Sequence, residues 1–460
     1  MSLDPDPATM RRLGADASAR VADHLDRLRS QRVFTPPRRP ELEAVVTEPL
    51  PTTGAGLDDC LRRFFDDLLP HATLVNHPRF FGWVPGPGSF AGALGAFAAS
   101  AANLFVGTWL GGAVAAQLEL QVVDWLRQAL GLPTGVGGVL TSGGSLANLA
   151  ALAAARARAR ALRRRGFRVY VGAEAHDSLR KAARVLGIPP EDVVAIDADA
   201  DQRIDLDALR RAVDADLARG LDPGAITVTM GTTSTGAVDG IASCADLAAG
   251  RGAWLHVDGA YGAASAVLPE RDDLRVMLQR ADSITIDPHK GLYAPFECGC
   301  LLLRDLDALR SAFTGDAPYL QDIPRDEVNF FERGPELSRG ARAVPLWFVL
   351  RGLGLDAIRD AIRRDAAHAR LAHDLLAADP RVIIVTPPRM SVFSFALAAG
   401  EAATQELLRC IHADGFAMLS SSRVAGRFVL RFCAVNHRTT REDVEATVAH
   451  VRARIAAAGG

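Results

Sequence analysis

Lysine is rare in this chain of 460 residues, and its two lysines stand in different surroundings. All but two of the 52 basic residues are arginine. Arginine stays protonated and cannot form an imine, whereas a lysine amine can lose its proton and condense with a carbonyl. Lys181 lies in a charged helical stretch, which favours an ordinary solvated side chain. Lys290 follows an alternating β run over residues 283–286, so a strand would present its amine to a cleft.

Two further strand ends could supply partners for that amine. A buried-looking run over residues 253–257 is followed by Asp258, and a carboxylate there could keep a pyridine nitrogen protonated. A second run ends in the motif Leu140-Thr-Ser-Gly-Gly-Ser, where backbone N–H groups and a helix N-terminus favour a phosphate. Each motif alone also fits a turn or a helix cap. Together they place, in this order along the chain, a phosphate-binding loop, the carboxylate of Asp258 and the amine of Lys290.

The elements that must position these groups alternate between strands and helices from about residue 115. Helices are predicted over residues 117–130 and from the Gly-Gly turn to about residue 165, and β-rich runs follow at 168–171, 193–196, 225–230, 253–257, 283–286 and 299–303. This alternation predicts an α/β fold with a mostly parallel sheet, whose ligands bind outside the carboxyl ends of the strands.

Three domains are predicted along the chain. Residues 1–85 form an N-terminal helical arm and a proline-rich extended connector, and residues 86–344 form the large domain with the cofactor site. Residues 345–460 form a small α+β domain, with a long helix through Leu346 and Ile358, strands at 382–385, 392–396 and 428–432, and a capping box from Thr439 to Glu442 before the last helix.

Several motifs in the same order resemble the group II pyridoxal-dependent decarboxylases, the family of aromatic-L-amino-acid and glutamate decarboxylases. The resemblance extends from about residue 77 to the C-terminus and implies a fold-type I, PLP-dependent transferase-like architecture. The motifs that carry it are His77-Pro-Arg-Phe-Phe, Leu118-Glu, Asp124-Trp-Leu, Thr141-Ser-Gly-Gly-Ser, Ala175-His, Gly231-Thr-Thr, Val257-Asp-Gly-Ala-Tyr and Asp287-Pro-His-Lys.

The resemblance implies that Lys290 holds pyridoxal 5′-phosphate as a Schiff base, that Asp258 pairs with the ring nitrogen and that His176 stacks on the ring. The other cofactor contacts that it implies are Gly144, Ser145 and His289 at the phosphate and Thr233 near the phenolic oxygen. Its expected reaction is decarboxylation of an L-amino acid to the amine. The alternatives are an aldehyde-forming oxidative deaminase or another lyase or aminotransferase with the same cofactor, and a non-catalytic binding protein, against which the intact Lys290, Asp258 and His176 argue.

Apolar side chains are expected around the substrate and favour an aromatic or large apolar substrate. By resemblance the pocket contains Phe81, Trp83, Pro85, Phe105, Phe296 and Phe330, although plain core packing is an equal alternative. Two residues depart from the family pattern. Gly86 stands where aromatic decarboxylases carry a threonine that binds the substrate carboxylate, and Gly291 replaces the tryptophan that often follows the lysine.

A polar segment over residues 314–342 is expected to form a mobile loop over the cleft. Family members commonly carry on such a loop a tyrosine that protonates the substrate carbon, and Phe330, or its neighbour Phe331, stands at that point. Tyr319 is expected to anchor the start of the loop. If His176, Tyr293 or water does not replace the missing acid, slow decarboxylation with some aldehyde product is expected.

Composition limits partners and location. The formal net charge of −2 and scattered basic residues argue against nucleic-acid binding, and six cysteines without zinc-ligand spacing suit reduced thiols in a cytoplasm and suggest no metal site. Residues 82–118 contain no charged residue. Their many Gly, Ala, Ser and Pro residues favour a buried segment or subunit interface over a membrane span. The stretch therefore predicts a homodimer, and the resemblance to the family implies that the active site lies at the subunit interface.

Overall fold

The N-terminal part of the chain is mostly helical. The structure, a computed structural model, describes residues 3–34, 38–315, 318, 321–324 and 326–458. The elements before the large sheet are α1 (Pro7–Asp26), α2 (Arg39–Val46), α3 (Leu57–Arg62), β1 (Phe80–Phe81), α4 (Phe90–Ala102) and α5 (Trp109–Ala129). Asp6 caps α1 by accepting hydrogen bonds from the backbone N–H groups of Ala8 and Thr9, and no described side chain of α1 is buried. The arm therefore lies on the surface of the body.

A seven-stranded sheet in the described residues carries the large domain. Its strands are β2 (Gly137–Thr141), β3 (Arg168–Gly172), β4 (Val193–Ile196), β5 (Pro223–Thr229), β6 (Trp254–Asp258), β7 (Ser283–Ile286) and β8 (Gly299–Leu303). The spatial order is β2-β8-β7-β6-β5-β3-β4, and β8 runs antiparallel to both of its neighbours while the other pairs are parallel. The predicted mostly parallel sheet is confirmed.

Helices cover both faces of this sheet. Those that follow its strands are α6 (Gly144–Ala161), α7 (Ser178–Val185), α8 (Leu206–Ala218), α9 (Ile241–Arg251), α10 (Asp272–Leu278) and α11 (Leu306–Phe313). Side chains alternate along each strand, so Tyr170 packs with residues of α8 and α9 while Val169 and Val171 pack with α6 and α7. The two faces thus form two apolar cores, which hold the strand ends in fixed register.

The C-terminal part forms a second sheet. Its elements are α12 (Ala343–Leu353), α13 (Leu355–Ala377), β9 (Val382–Arg389), β10 (Val392–Leu397), α14 (Glu401–Asp414), β11 (Met418–Val424), β12 (Arg427–Cys433) and α15 (Arg441–Ala458). The order is β1-β11-β12-β10-β9, and β1 pairs with β11 in parallel. The end of the arm predicted over residues 1–85 therefore adds a strand to the sheet of the small domain.

Three local expectations for the small domain need correction. The single helix expected after Pro345 is two helices, because Gly354 adopts φ 79° between α12 and α13. The capping box lies one residue later than expected, since the backbone N–H of Thr440 donates to Asp443 Oδ2 at 3.0 Å and that of Asp443 donates to Thr440 Oγ at 3.3 Å. Strands β1 and β11 were not expected.

The second half of the segment predicted as a mobile loop packs against the large domain. The backbone N–H of Trp109 donates to Asn329 Oδ1 at 3.0 Å, and Arg333 donates to the carbonyl oxygen of Gly138 at 2.9 Å. Arg339 is buried and forms an ion pair at 2.8 Å with the fully buried Glu119. These contacts make residues 329–339 part of the body, whereas Tyr319 lies outside the described residues.

The uncharged stretch over residues 82–118 forms two helices, α4 and the first half of α5, separated at Asn103 in the left-handed region (φ 46°). In the part of the chain that is described, no helix has the length and apolar character needed to cross a bilayer. Several large apolar side chains of these two helices are exposed, among them Phe97, Leu110 and Val114.

Removing Arg339 should strongly destabilise the protein. Arg339→Met leaves the carboxylate of Glu119 buried without its partner, and loss of one member of a buried ion pair costs about 3–5 kcal/mol. The free energy of unfolding from a urea titration measures this. Arg441→Met is the control, because it removes an exposed pair with Glu445 and should change stability by less than about 1 kcal/mol. Equal effects of the two substitutions would contradict the prediction.

Candidate active site

One cavity of about 340 Å³ lies at the carboxyl edge of the large sheet. Parallel strands end at the same edge, so the segments that follow β2, β3, β5, β6 and β7 meet there. All seven residues predicted to hold the cofactor line this cavity, and they are Gly144, Ser145, His176, Thr233, Asp258, His289 and Lys290. A larger hollow of about 710 Å³ lies beside α1 and contains none of them.

Lys290 lies four residues beyond the end of β7, with its side chain about one quarter exposed. Its Nζ lies 3.1 Å from Oδ2 of the buried Asp287, and His289 Nε2 lies 3.5 Å from the same oxygen. Burial lowers the pKa of His289 below its usual value, and the negative charge of Asp287 opposes that shift. The three side chains form a compact group around one carboxylate.

Asp258 ends β6 and is almost fully buried. Its Oδ2 accepts a hydrogen bond from Asn148 Nδ2 at 2.9 Å, and its Oδ1 accepts one from the backbone N–H of Ala260 at 3.1 Å. Both oxygens therefore have protein donors, and the carboxylate still has lone pairs for a donor in the cavity.

The other predicted contacts come from loops and from a helix start. Gly144 and Ser145 form the first turn of α6, whose N-terminus has no side-chain cap. His176 follows β3, and its Nδ1 lies 2.8 Å from Ser178 Oγ. Thr233 follows β5. An uncapped helix start leaves backbone N–H groups free to bind an anion at this end of the cavity.

The two glycines that depart from the family pattern lie where backbone and side chains pack closely around the lysine. A Cβ at Gly86 would lie 2.1 Å from the carbonyl oxygen of His289 and 2.5 Å from that of Lys290. A Cβ at Gly291 would lie 2.5 Å from that of Ala264. A threonine at 86 or a tryptophan at 291 would not fit this backbone.

The aromatic residues predicted for the substrate pocket do not line the cavity of the single chain. Phe81 stacks on Phe432 at 4.1 Å in the core of the small domain, because β1 belongs to that sheet. Phe330 is fully buried beneath the guanidinium groups of Arg333 and Arg339. In the single chain these two side chains therefore lie in apolar cores, and their place in a substrate pocket stays a prediction.

The other four predicted pocket residues lie outside this core. Trp83 and Phe296 are about half exposed, and the ring of Phe296 lies 4.8 Å from that of His289. Pro85 and Phe105 are partly buried, and the backbone of Phe105 bridges Gly340.

The sequence motifs contained several cavity residues to which no role was assigned. Asn148 stands three residues after the end of the Gly-Gly motif and one helical turn after Ser145, so the helical period indicates that it faces the same way. Glu297 lines the cavity because β8 runs antiparallel and begins at this edge. Further lining residues without a predicted role are Ser142, Gly143, Ser178, Thr229, Gly231, Ala260, Tyr261 and Asp287.

This set of donors fits a phosphorylated pyridine aldehyde. The cavity offers one amine at Lys290, a buried carboxylate at Asp258 and the uncapped start of α6 for a phosphate. Among the described residues, two buried oxygens of the cavity lining, Thr229 Oγ and Asp287 Oδ1, have no hydrogen-bond partner. A bound polar group would satisfy such atoms.

Comparison with known proteins assigns the whole chain to one group. Residues 42–398 match the family model described as the pyridoxal-dependent decarboxylase conserved domain. The aromatic-L-amino-acid decarboxylase of Bacillus atrophaeus is 34% identical over 447 residues, which cover 95% of this chain and 93% of that protein.

Two solved structures extend the comparison. The Oryza sativa TDC, solved with PLP and tryptamine, superposes with a TM-score of 0.93 at 29% identity, over 98% of this chain and 99% of that one. The 4-hydroxyphenylacetaldehyde synthase of Rhodiola rosea has a TM-score of 0.92 at 26% identity, over the same shares of the two chains.

The position of Lys290 predicts where the cofactor becomes attached. Protein loaded with pyridoxal phosphate and reduced with borohydride should carry the label on the peptide that contains Lys290, as read by mass spectrometry. Lys290→Arg should abolish the label because a guanidinium cannot form an imine. Lys181→Arg is the matched control and should keep it. Labelling that depends on Lys181 would contradict the assignment.

Proposed function

The chain belongs to the pyridoxal-dependent decarboxylase family and is a PLP-dependent amino-acid decarboxylase, and on that premise we propose that it converts an aromatic L-amino acid to its amine. The observation that carries this proposal is the convergence of Lys290, Asp258, His176 and the start of α6 on one cavity. The cavity residues support the cofactor, whereas the relatives and the aromatic side chains near Lys290 support the substrate.

The roles proposed for the cavity residues are those that the family resemblance implies, and the convergence of these residues on one cavity supports them. When bound, pyridoxal phosphate supplies an electron sink for the α-carbon of the substrate. Lys290 binds the cofactor, and Asp258 holds a proton at the ring nitrogen through a carboxylate that two protein donors keep oriented. The N–H groups at the start of α6 bind the phosphate, and His176 covers one face of the ring.

An aromatic substrate is supported by the relatives and by side chains near the lysine. The Bacillus protein is an aromatic-L-amino-acid decarboxylase, and the Oryza structure contains tryptamine. Gly86 packs against the backbone of Lys290. Trp83 and Pro85 precede Gly86 in the same short segment of the sequence. Phe296 precedes the cavity residue Glu297 and touches the ring of His289.

A panel of L-amino acids should separate the possible substrates. Carbon dioxide and amine are measured with tryptophan, tyrosine, phenylalanine, glutamate and 2,4-diaminobutyrate. We expect the aromatic substrates to have the highest kcat/KM. Phe296→Ala should lower kcat/KM for them by roughly threefold to tenfold, the value of one aromatic contact. Phe64→Ala removes a similarly exposed ring from the arm and should change nothing. Preference for glutamate or diaminobutyrate would overturn the aromatic assignment.

A second candidate is an enzyme of the same family that forms an aldehyde. A similar fold occurs in a 4-hydroxyphenylacetaldehyde synthase, and where the resemblance expects a tyrosine this chain has the buried Phe330, which has no hydroxyl proton to give. In the same assay, amine equal to the carbon dioxide released supports the decarboxylase. Aldehyde, ammonia and peroxide with uptake of oxygen support the second candidate.

A homodimer is also part of the proposal. Large apolar side chains of residues 82–118 are exposed in the single chain, and they are Trp83, Phe90, Leu94, Phe97, Leu110 and Val114. Such a concentration within one uncharged stretch is typical of a subunit interface. The six cysteines are unpaired in the described chain, which supports the further proposal of a reducing, cytoplasmic location.

A charge placed in that surface should dissociate the dimer. Val114 is 73% exposed, and Val114→Glu would bury a carboxylate in the interface, so we expect light scattering to give the mass of one chain at micromolar concentration. Val185 is similarly exposed on α7, outside the stretch, and Val185→Glu should leave the dimer intact. A monomeric unmodified protein, or dimers in both variants, would contradict the proposed interface.

A further inference from the structure

A chain of hydrogen bonds runs behind the cavity from Trp254 to His176 and passes through Asn148. We propose that Asn148 is a positioning residue that, with His256 and Ser178, fixes the proton positions of Asp258 and His176. The inference concerns side chains of the protein alone, and it deepens the proposed function because Asp258 and His176 are its proposed cofactor contacts.

The orientation of the Asn148 amide follows from its partner Asp258. Asn148 is buried, and its Nδ2 lies 2.9 Å from Asp258 Oδ2 and 2.9 Å from Ser178 Oγ. A carboxylate only accepts hydrogen bonds, so the NH₂ group must face Asp258. The amide oxygen must then face Thr285 Oγ at 2.7 Å and His256 Nε2 at 3.0 Å, and both of these must donate. Four contacts use the full capacity of the amide.

This orientation determines the tautomer of His256. Nε2 must carry a proton because it faces the oxygen of Asn148. Burial lowers the pKa of His256 to about 4, so the ring is neutral at pH 7 and Nδ1 is an acceptor. The Ser283 hydroxyl donates to Nδ1 at 2.8 Å and accepts from the indole N–H of Trp254 at 2.7 Å. Since the indole nitrogen only donates, the hydrogen of the Ser283 hydroxyl is free to point to Nδ1 of His256.

The second branch determines the proton position of His176. Ser178 Oγ accepts the second proton of the Asn148 amide, so its own hydrogen can point to His176 Nδ1 at 2.8 Å. The backbone N–H of Ser178 also donates to Nδ1 at 3.2 Å. A nitrogen that accepts from an amide N–H carries no proton. His176 therefore has its proton on Nε2.

The two branches meet at one amide and act on two cavity residues. Through Nδ2, Asn148 keeps Asp258 an acceptor and leaves the hydroxyl of Ser178 free to donate to His176. Asp258 thus offers hydrogen-bond acceptors to the cavity, and His176 offers an N–H donor to it. Removing the amide would take away the partner of His256 Nε2, of the Thr285 hydroxyl and of Asp258 Oδ2, while Ser283 and Ala260 would still bond the other polar atoms of His256 and Asp258. The tautomer of His256 would then no longer be specified by the amide.

Nuclear magnetic resonance of cofactor-free protein labelled with ¹⁵N-histidine tests this directly. Long-range ¹H–¹⁵N correlations distinguish a protonated from an unprotonated ring nitrogen, and His176→Gln and His256→Gln assign the signals. We expect both histidines to be protonated at Nε2 and unprotonated at Nδ1. A proton on Nδ1 of either ring would overturn the proposal, whatever the substrate of the enzyme proves to be.

Variants then test the part played by Asn148. Asn148→Ala should abolish the single-tautomer pattern of His256 and weaken pyridoxal phosphate binding by about tenfold or more, as expected for loss of a hydrogen bond to a charged group. Thr227→Val is the matched control, since it removes a buried hydroxyl from β5 that bonds only a backbone carbonyl of β3 in the described structure. The same spectra and affinity in Asn148→Ala as in the control would overturn the role of Asn148.

A second pair of variants keeps the proposal testable if Asn148→Ala fails to fold. Ser178→Ala should reduce the Nε2–H population of His176, because the hydroxyl donor to Nδ1 is lost. Ser178→Thr keeps a hydroxyl and should restore the pattern. No difference between these two variants would show that the hydroxyl does not set the tautomer.

Discussion

Parallel pairing of β5, β6 and β7 is the constraint on which the site depends. In the register of these strands Thr229 lies opposite Asp258, and Asp258 lies opposite Thr285, two residues before Asp287. Residues distant in the chain are thereby held at one edge of the sheet, where the segment carrying Lys290 also begins. Two apolar cores, one on each face, prevent a strand from slipping, since a shift by one residue would turn its buried side chains to the opposite face.

The lysine segment is then enclosed by backbone rather than by large side chains. Gly86 and Gly291 allow close approach of the 85–88 segment and of Ala264, and both close approaches involve the residues around Lys290. In the proposed function, the space available to a substrate would depend on side chains further along these segments, such as Trp83 and Phe296.

Features that depend on local sequence could be predicted, and those that depend on tertiary contacts could not. The runs at 193–196, 283–286 and 299–303 match β4, β7 and β8 because each is a short segment rich in apolar or β-branched residues, which is a local signal for a strand. β1 has two residues, and β11 carries three consecutive serines, so neither has a strand signature. Phenylalanine is equally suited to a pocket and a core, and only the fold could place Phe81 and Phe330 in cores. Asn148 stands just after the Gly-Gly motif, but its proposed role rests on four partners that belong to three other elements and that the sequence does not place beside it.

The scarcity of lysine in the sequence adds to the effect of the cavity around Lys290. An aldehyde cofactor condenses with accessible amines, and the side chains of this protein offer only two. Arginine provides the positive charge elsewhere and forms ion pairs such as those with Asp58, Glu119 and Asp216 without offering a reactive amine. Lys181 is exposed on α7, whereas Lys290 lies in a cavity with the uncapped helix start and the oriented carboxylate of Asp258. The proposed selectivity for Lys290 would therefore have two sources: the chain has few competing amines, and the groups that line the cavity would hold the aldehyde beside one of them.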